Sequence, residues 1–179
     1  MAAPSTLFRF RLITDLTIKN AEPPIDIRVA MHPSETKIFM ITRVIAYALN
    51  YQDGIEFGAG LQDPDAPAIR VIGTRGEISK WIDIGNPSPK RLHKSAKAAT
   101  SVSVYTYKDV DRLKKEASGE KVYNAHKIEI FSIDPDFLET LSEMLERDNE
   151  WAIHLTGGEL EITIDDEVYS GVLEKHSLT

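Results

Sequence analysis

Hydrophobic and polar positions alternate over residues 6–19, where Phe8, Phe10 and Leu12 interleave with Arg9 and Arg11. They alternate again over residues 25–31, where Ile25, Ile27 and Val29 interleave with Asp26 and Arg28. Period-two patterning rich in β-branched and aromatic residues predicts strands with one buried face. Between them, Asn20-Ala21-Glu22-Pro23-Pro24 is turn material, so the two runs form an expected N-terminal antiparallel hairpin. The period then changes. Ile38, Ile41, Ile45, Ala48 and Leu49 recur at spacings of three and four, which predicts a helix to about Asn50. Its expected entry is His32-Pro33-Ser34-Glu35, with Ser34 as the cap and Glu35 in the first turn, where a carboxylate offsets the helix dipole.

The same reading carries on along the chain. Residues 55–61 form a short expected strand whose glycines predict a bulge or a close backbone approach. After a loop over 62–67, strands over 68–72 and 78–84 are joined around Gly73-Thr74-Arg75-Gly76, which is hairpin chemistry. A helix over 90–100 precedes a strand over 102–107, and a helix between two strands predicts a parallel crossover. A polar helix over 109–117, a strand over 127–133 and a helix over 134–147 follow. Residues 151–155 and 160–164 flank Gly157-Gly158 as a C-terminal hairpin, with a last strand over 168–173. The expected fold class is α/β: a mixed central sheet with helices on its faces, plus an N-terminal and a C-terminal hairpin. With no repeat or linker, residues 1–179 are expected to form a single domain.

Composition narrows the function classes. The chain has 179 residues and no cysteine, which removes disulfides and thiolate metal sites and fits a reducing compartment. The N-terminus lacks the pattern of a secretory signal, and the apolar run within IFMITRVIAYAL is broken by Thr42 and Arg43. The expectation is a cytoplasmic protein with no membrane partner. A net charge of −7 argues against a general nucleic-acid coat, but leaves room for a local basic face.

Candidate chemistry concentrates in WIDIGNPSPKRLHKSAKAA. Asp83 lies on a strand, and the helix after it carries Lys90, Arg91, Lys94 and Lys97 within about a third of its circumference. Leu92, Ala96 and Ala99 fall opposite, so the basic row points outward beside the acid-bearing strand. Asp83 equally fits the polar side of an amphipathic strand, and Glu35 a simple dipole role. Arg43, inside an apolar helix, is a candidate partner for Glu35 or for Asp83 in a structural ion-pair network. His32 is expected to bond local backbone. Gly157-Gly158 opens no helix, and no P-loop, G-x-S-x-G or H-E-x-x-H is present.

His32-Pro33-Ser34-Glu35-Thr36 with Arg43, Phe57-Gly58-Ala59-Gly60-Leu61, Trp81-Ile82-Asp83-Ile84-Gly85 with Pro87, Arg91 and Lys94, and Val104-Tyr105-Thr106-Tyr107 occur in order over residues 12–107. Together these blocks resemble the YaeQ family. That resemblance implies a restriction-endonuclease-like fold of the PD-(D/E)XK superfamily, whose carboxylates hold Mg²⁺ or Mn²⁺ for phosphodiester hydrolysis. It implies Asp83, Glu35 and Lys94 as catalytic groups, with Asp83, Glu35, Asp65 and Glu77 as the metal-ligand set. Arg91, Lys94, Lys90 and Lys97 would contact phosphate, and Arg43, Ser34 and Trp81 would shape the pocket.

The chain departs from the motif at two places: Ala68 stands where its first Asp is expected, and Gly85 where its lysine is expected. Two functions follow as expectations. One is a metal-dependent nuclease with a degenerate motif; the other is a non-catalytic module of the same fold that binds nucleic acid or a protein partner.

Overall fold

A computed structural model describes residues 4–15, 22–60 and 63–179. Expectations on residues 1–3, 16–21 and 61–62 lie outside the described residues. They include the end of the first strand, part of the first turn, Leu61 and the start of the loop after it.

In chain order the first elements are β1 (Thr6–Thr14), β2 (Ile25–Met31), α1 (Lys37–Leu49), β3 (Ile55–Phe57), β4 (Ile69–Ile72) and β5 (Ile78–Ile84). Next come α2 (Pro89–Ala98), β6 (Ala99–Thr106), α3 (Val110–Ser118), a 3₁₀ turn (Ala125–Lys127) and β7 (Ile128–Ile133). The chain finishes with α4 (Pro135–Glu143), β8 (Asp148–Thr156), β9 (Glu159–Ile164) and β10 (Glu167–Ser177). They fall into two compact units. The first comprises Met1–Leu49 and Ile133–Leu173, the second Asn50–Ser132 and Glu174–Thr179.

The first unit holds strands in the order β2-β1-β8-β9-β10. β1 and β2 pair antiparallel as expected, with Phe10 opposite Ile27. The alternation places Phe10 and Leu12 fully inside, where Phe10 meets the edge of Trp151 at 5.1 Å between ring centroids. The same unit contains α1, with Met40, Ile41, Val44 and Ile45 fully buried; each such side chain contributes about 1.5–3 kcal/mol of burial. Gly157-Gly158 turns β8 into β9 as the sequence predicts, and Asp165-Asp166, both at positive φ, turn β9 into β10.

The second unit holds β3-β4-β5-β6-β7. β3, β4 and β5 run antiparallel, and β5, β6 and β7 run parallel. The expected crossover is therefore present, carried by α2. Leu92 of α2 and Leu113 of α3 bury against Trp81, Val102, Val104, Ile128 and Ile130. The end of β10 belongs to this unit, where His176 hydrogen-bonds Ser132 at 2.8 Å and Lys175 pairs with Glu129. Among the described residues no helix is long and apolar enough to cross a membrane.

Several boundaries move, each for a physical reason. α1 starts at Lys37, after the HPSE stretch. Thr36 Oγ1 accepts from Phe39 N at 3.1 Å and is the cap, while Ser34 bonds back to His32. Ser34 is thus not a helix cap, and Glu35 lies before the first turn. The helix expected through residue 147 ends at Glu143. Asn149 exchanges hydrogen bonds with Glu146 and donates to Arg9 O, and Arg9 N donates to Arg147 O. Pairing with β1 holds residues 144–147 as the connection into β8, which starts at Asp148. The strand expected over 55–61 keeps three residues, and one further bond beyond it joins Gly58 N to Ala68 O at 3.0 Å. A Cβ on Gly58 would stand 1.8 Å from Pro67 O, which is the close approach its glycine predicts.

Candidate functional site

On a strand, residues two apart share a face. Trp81 and Asp83 therefore point the same way from β5, and the helix that follows β5 returns over them. Ser88 accepts from Arg91 N and caps α2, and Pro89 fills its first position. This fixes Arg91 one turn in, above the end of β5.

Arg91 meets Asp83 side-on, through two parallel bonds. Nε donates to Oδ2 and Nη2 to Oδ1, both at 2.8 Å. Nη1 donates to Pro64 O at 2.6 Å and Nη2 also to Ala66 O at 2.7 Å. The guanidinium further lies 5.7 Å from the Trp81 ring centroid, within cation–π range. Asp83 is buried, its side chain 4% exposed, so its charge is matched almost wholly by this one partner. The hydrogen bond to Asp83 raises the Arg91 pKa above its ordinary value, against the opposing effect of burial.

The neighbouring acids are occupied in other ways. Asp65 sits 80% exposed in the loop and pairs with Lys94 at 3.2 Å, an exposed contact of small energetic weight. Glu77 Oε2 accepts from Arg75 N and stabilises the β4–β5 turn. It precedes the first residue of β5, six residues or about 20 Å along an extended strand from Asp83, too far to share a cation with it. Glu35 belongs to the first unit. Its side chain, 12% exposed, accepts from Arg43 Nη2 at 3.3 Å, and the same nitrogen donates to Ala30 O. Burial lowers the Arg43 pKa and Glu35 opposes that shift. Of Arg43's two candidate partners, Glu35 is the one it meets. Among the described residues no group of three or more His, Asp or Glu side chains is placed to hold a metal ion.

Register explains what the two motif departures do. Ile69 pairs with Ile82 in the antiparallel ladder, so Ala68 stands across from Asp83. An acid there would have put a second carboxylate beside the first; the methyl group leaves Asp83 to Arg91. Gly85 has φ 88 and donates from N to Tyr105 O at 2.8 Å. That left-handed turn favours glycine over any side chain.

The rest of α2 faces outward. Lys90, Lys94 and Lys97 are exposed at helical spacing, and Leu92 and Ser95 are buried opposite. Among the described residues Lys90 and Lys97 have no ion-pair partner. Charge is also unevenly divided. Counted over the sequence, the second unit carries 14 Lys and Arg against 12 Asp and Glu, a net of +2; the first carries 7 against 16, a net of −9. The overall −7 therefore hides a basic half.

Sequence reasoning missed a buried polar chain in the second unit. Lys80 Nζ donates to Asn50 Oδ1 at 2.7 Å and Asn50 Nδ2 to the Tyr105 hydroxyl at 3.0 Å. Burial pushes the Tyr105 pKa up to about 12. Its members are 55 residues apart at the widest, so no local pattern marks them.

A mixed α/β chain with a parallel crossover and an arginine-closed acid defines the class. The chain belongs to the YaeQ family, whose model matches residues 1–171 under the description "YaeQ protein". It is 29% identical to the Escherichia coli K12 protein described as "Uncharacterized protein YaeQ" over 108 residues, 60% of this chain and 59% of that one. It is 26% identical to the Salmonella typhi protein of the same description over 120 residues, 66% of each chain. These matches span less than two thirds of the relatives' length. The fold is similar to the crystal structure of the YaeQ protein from Xanthomonas axonopodis pv. citri, with TM-score 0.84 and 23% identity over 97% of this chain and 98% of that one. It is also similar to the Pseudomonas syringae YaeQ protein, with TM-score 0.80 and 24% identity over 97% and 95%.

Proposed function

We propose that this chain is a cytoplasmic, non-catalytic member of the PD-(D/E)XK restriction-endonuclease-like superfamily that binds nucleic acid through the exposed face of α2. One observation carries the reading: the two-pronged pair of Arg91 with buried Asp83. A divalent ion at Asp83 would have to displace a guanidinium whose other bonds reach Pro64 and Ala66, and Ala68 offers no second carboxylate in return. The site has kept the acid and exchanged the metal for an internal cation. Support for a phosphate-binding face comes from Lys90, Lys94 and Lys97 and from the basic balance of the second unit. Lysine suits this use as a flexible point charge that tracks a backbone without reading sequence.

The test is incubation of a labelled single-stranded oligonucleotide with the protein in millimolar Mg²⁺ or Mn²⁺. The oligonucleotide is expected to be retained and uncut. Metal-dependent cleavage by the wild type that disappears in Asp83→Asn would overturn the non-catalytic reading and restore Asp83, Lys94 and their neighbours as a hydrolytic site.

A further inference from the structure

The basic row does not end at the helix. At the C-terminal turn of α2, Lys97 forms one wall of a groove of about 250 Å³, with Thr100 and Ser101 of β6, and Tyr123, Asn124 and Lys127 from the 3₁₀ region opposite. Its apolar floor is Val102 and Ile128, both almost fully buried. Lys97 lies six residues, about 9 Å, along α2 from Arg91, and the groove shares no residue with the Arg91–Asp83 pair.

Its parts are held in place. Asn124 adopts a left-handed conformation, φ 47, and its carbonyl accepts from Lys127 N at 2.8 Å. Tyr123 N donates to His93 Nδ1 of α2 at 3.1 Å, which ties the turn to the helix. The Tyr123 side chain is left 46% exposed. Among the described residues neither Lys97 nor Lys127 has an ion-pair partner. Two free ammonium groups, the Thr100 hydroxyl and an amide above an apolar floor, with an aromatic ring at the rim, match a phosphate joined to a flat base; the Ser101 hydroxyl donates to Ser79 O.

Building on the proposed function, we propose that this groove receives one nucleotide unit of a single-stranded nucleic acid. Lys97 and Lys127 bind the phosphate, Tyr123 stacks on the base, and Lys94 and Lys90 continue the backbone track along α2. A duplex keeps its bases inside the stack, so Tyr123 would have no base face to meet, and the site selects single strands. Lys97 at the C-terminal end of α2 also offsets the helix dipole there, which would otherwise repel an anion.

The experiment is fluorescence anisotropy with a labelled short oligonucleotide, single-stranded and duplex, against wild type, Tyr123→Ala, Tyr123→Phe, Lys127→Ala and Lys90→Ala/Lys94→Ala. Thermal unfolding checks that each variant folds, and the exposure of these side chains makes them tolerant sites. The expected result is a loss of about tenfold in single-strand affinity for Tyr123→Ala and near-retention for Tyr123→Phe, the span known for one stacked base. Lys127→Ala weakens binding and flattens its salt dependence. Weakening by Lys90→Ala/Lys94→Ala with no effect of Tyr123→Ala or Lys127→Ala would overturn the groove while leaving α2 as the binding face. Duplex bound as tightly as single strand, or a free mononucleotide bound as tightly as the oligonucleotide, would overturn it too. No binding by the wild type removes both readings together.

Discussion

Replacing Arg91 by methionine keeps a long apolar stem over Trp81 and deletes the guanidinium. Asp83, its side chain 4% exposed, would lose both charge-assisted bonds and remain an uncompensated buried carboxylate. Breaking a buried pair from one side costs about 3–5 kcal/mol. The Arg91 side chain is 27% exposed, so water reaches part of the vacated space, and the expected loss is about 2–4 kcal/mol. Asp83→Leu paired with Arg91→Met removes both charges and should fall within about 1 kcal/mol of wild type, so the double-mutant cycle yields a coupling above about 1.5 kcal/mol. Urea titrations followed by circular dichroism measure Arg91→Met, Asp83→Leu and the double variant, with m unchanged if only stability moves. The opposite pattern would refute the reasoning: Asp83→Asn more stable than wild type, and Arg91→Met nearly neutral. That is how a carboxylate held under strain for a ligand behaves, since relieving it raises stability.

Gly85→Lys supplies the lysine that the nuclease motif calls for, at φ 88 and with no atom within 4 Å of its Cβ. Space is open but the backbone is left-handed, so it should cost about 1–2 kcal/mol in chemical denaturation and confer no cleavage. Tyr105 has a folded pKa raised to about 12, so its unfolded form ionises first. The stability it contributes is complete below about pH 10 and is lost as pH rises to about 12, by roughly 3 kcal/mol. Tyr105→Phe should remove that part of the alkaline slope in urea titrations. In the first unit Arg43→Met leaves Glu35 facing a buried apolar group and should cost about 2–4 kcal/mol, whereas Glu35→Gln, which keeps an acceptor, should cost about 1 kcal/mol in the same assay.

Much of this architecture was legible because its signals are local. Alternation at Phe8, Phe10 and Leu12 marks β1, and Gly157-Gly158 marks the β8–β9 hairpin. The βαβ order around α2 carries its own handed crossover, and the parallel β5–β6 ladder follows from it. The parallel pairing of β1 with β8 was not legible, since its partners are some 139 residues apart and nothing near Asn149 announces Arg9. That pairing also shortened α4, whose apolar stripe through Met144 and Leu145 reads as helix until tertiary contacts compete.

The site divides in the same way. The basic row on α2 follows from periodicity, but the burial of Asp83 does not: between Ile82 and Ile84 it fits the polar side of an amphipathic strand, and all of Trp81, Ile82 and Asp83 are buried. Arg91 falls on that row by angle, yet the fold turns it inward, because Asp83 and the carbonyls of Pro64 and Ala66 converge on its first-turn position. Arg43 shows the converse, a charge in an apolar stripe whose candidate partner Glu35 was already in view. The groove at Tyr123 and Lys127 had no motif at all, because two stretches separated along the chain, 96–102 and 123–128, build it.

The central claim is that α2 binds a nucleic-acid backbone while Asp83 stays locked to Arg91. Single-strand affinity measured across a series of salt concentrations, for wild type and for Lys90→Ala/Lys94→Ala/Lys97→Ala, tests it most directly. The account predicts log affinity falling linearly with log salt, and a slope smaller by about 2 in the triple variant, since each lysine–phosphate contact contributes roughly 0.7. Equal affinities and equal slopes in the two proteins would contradict it.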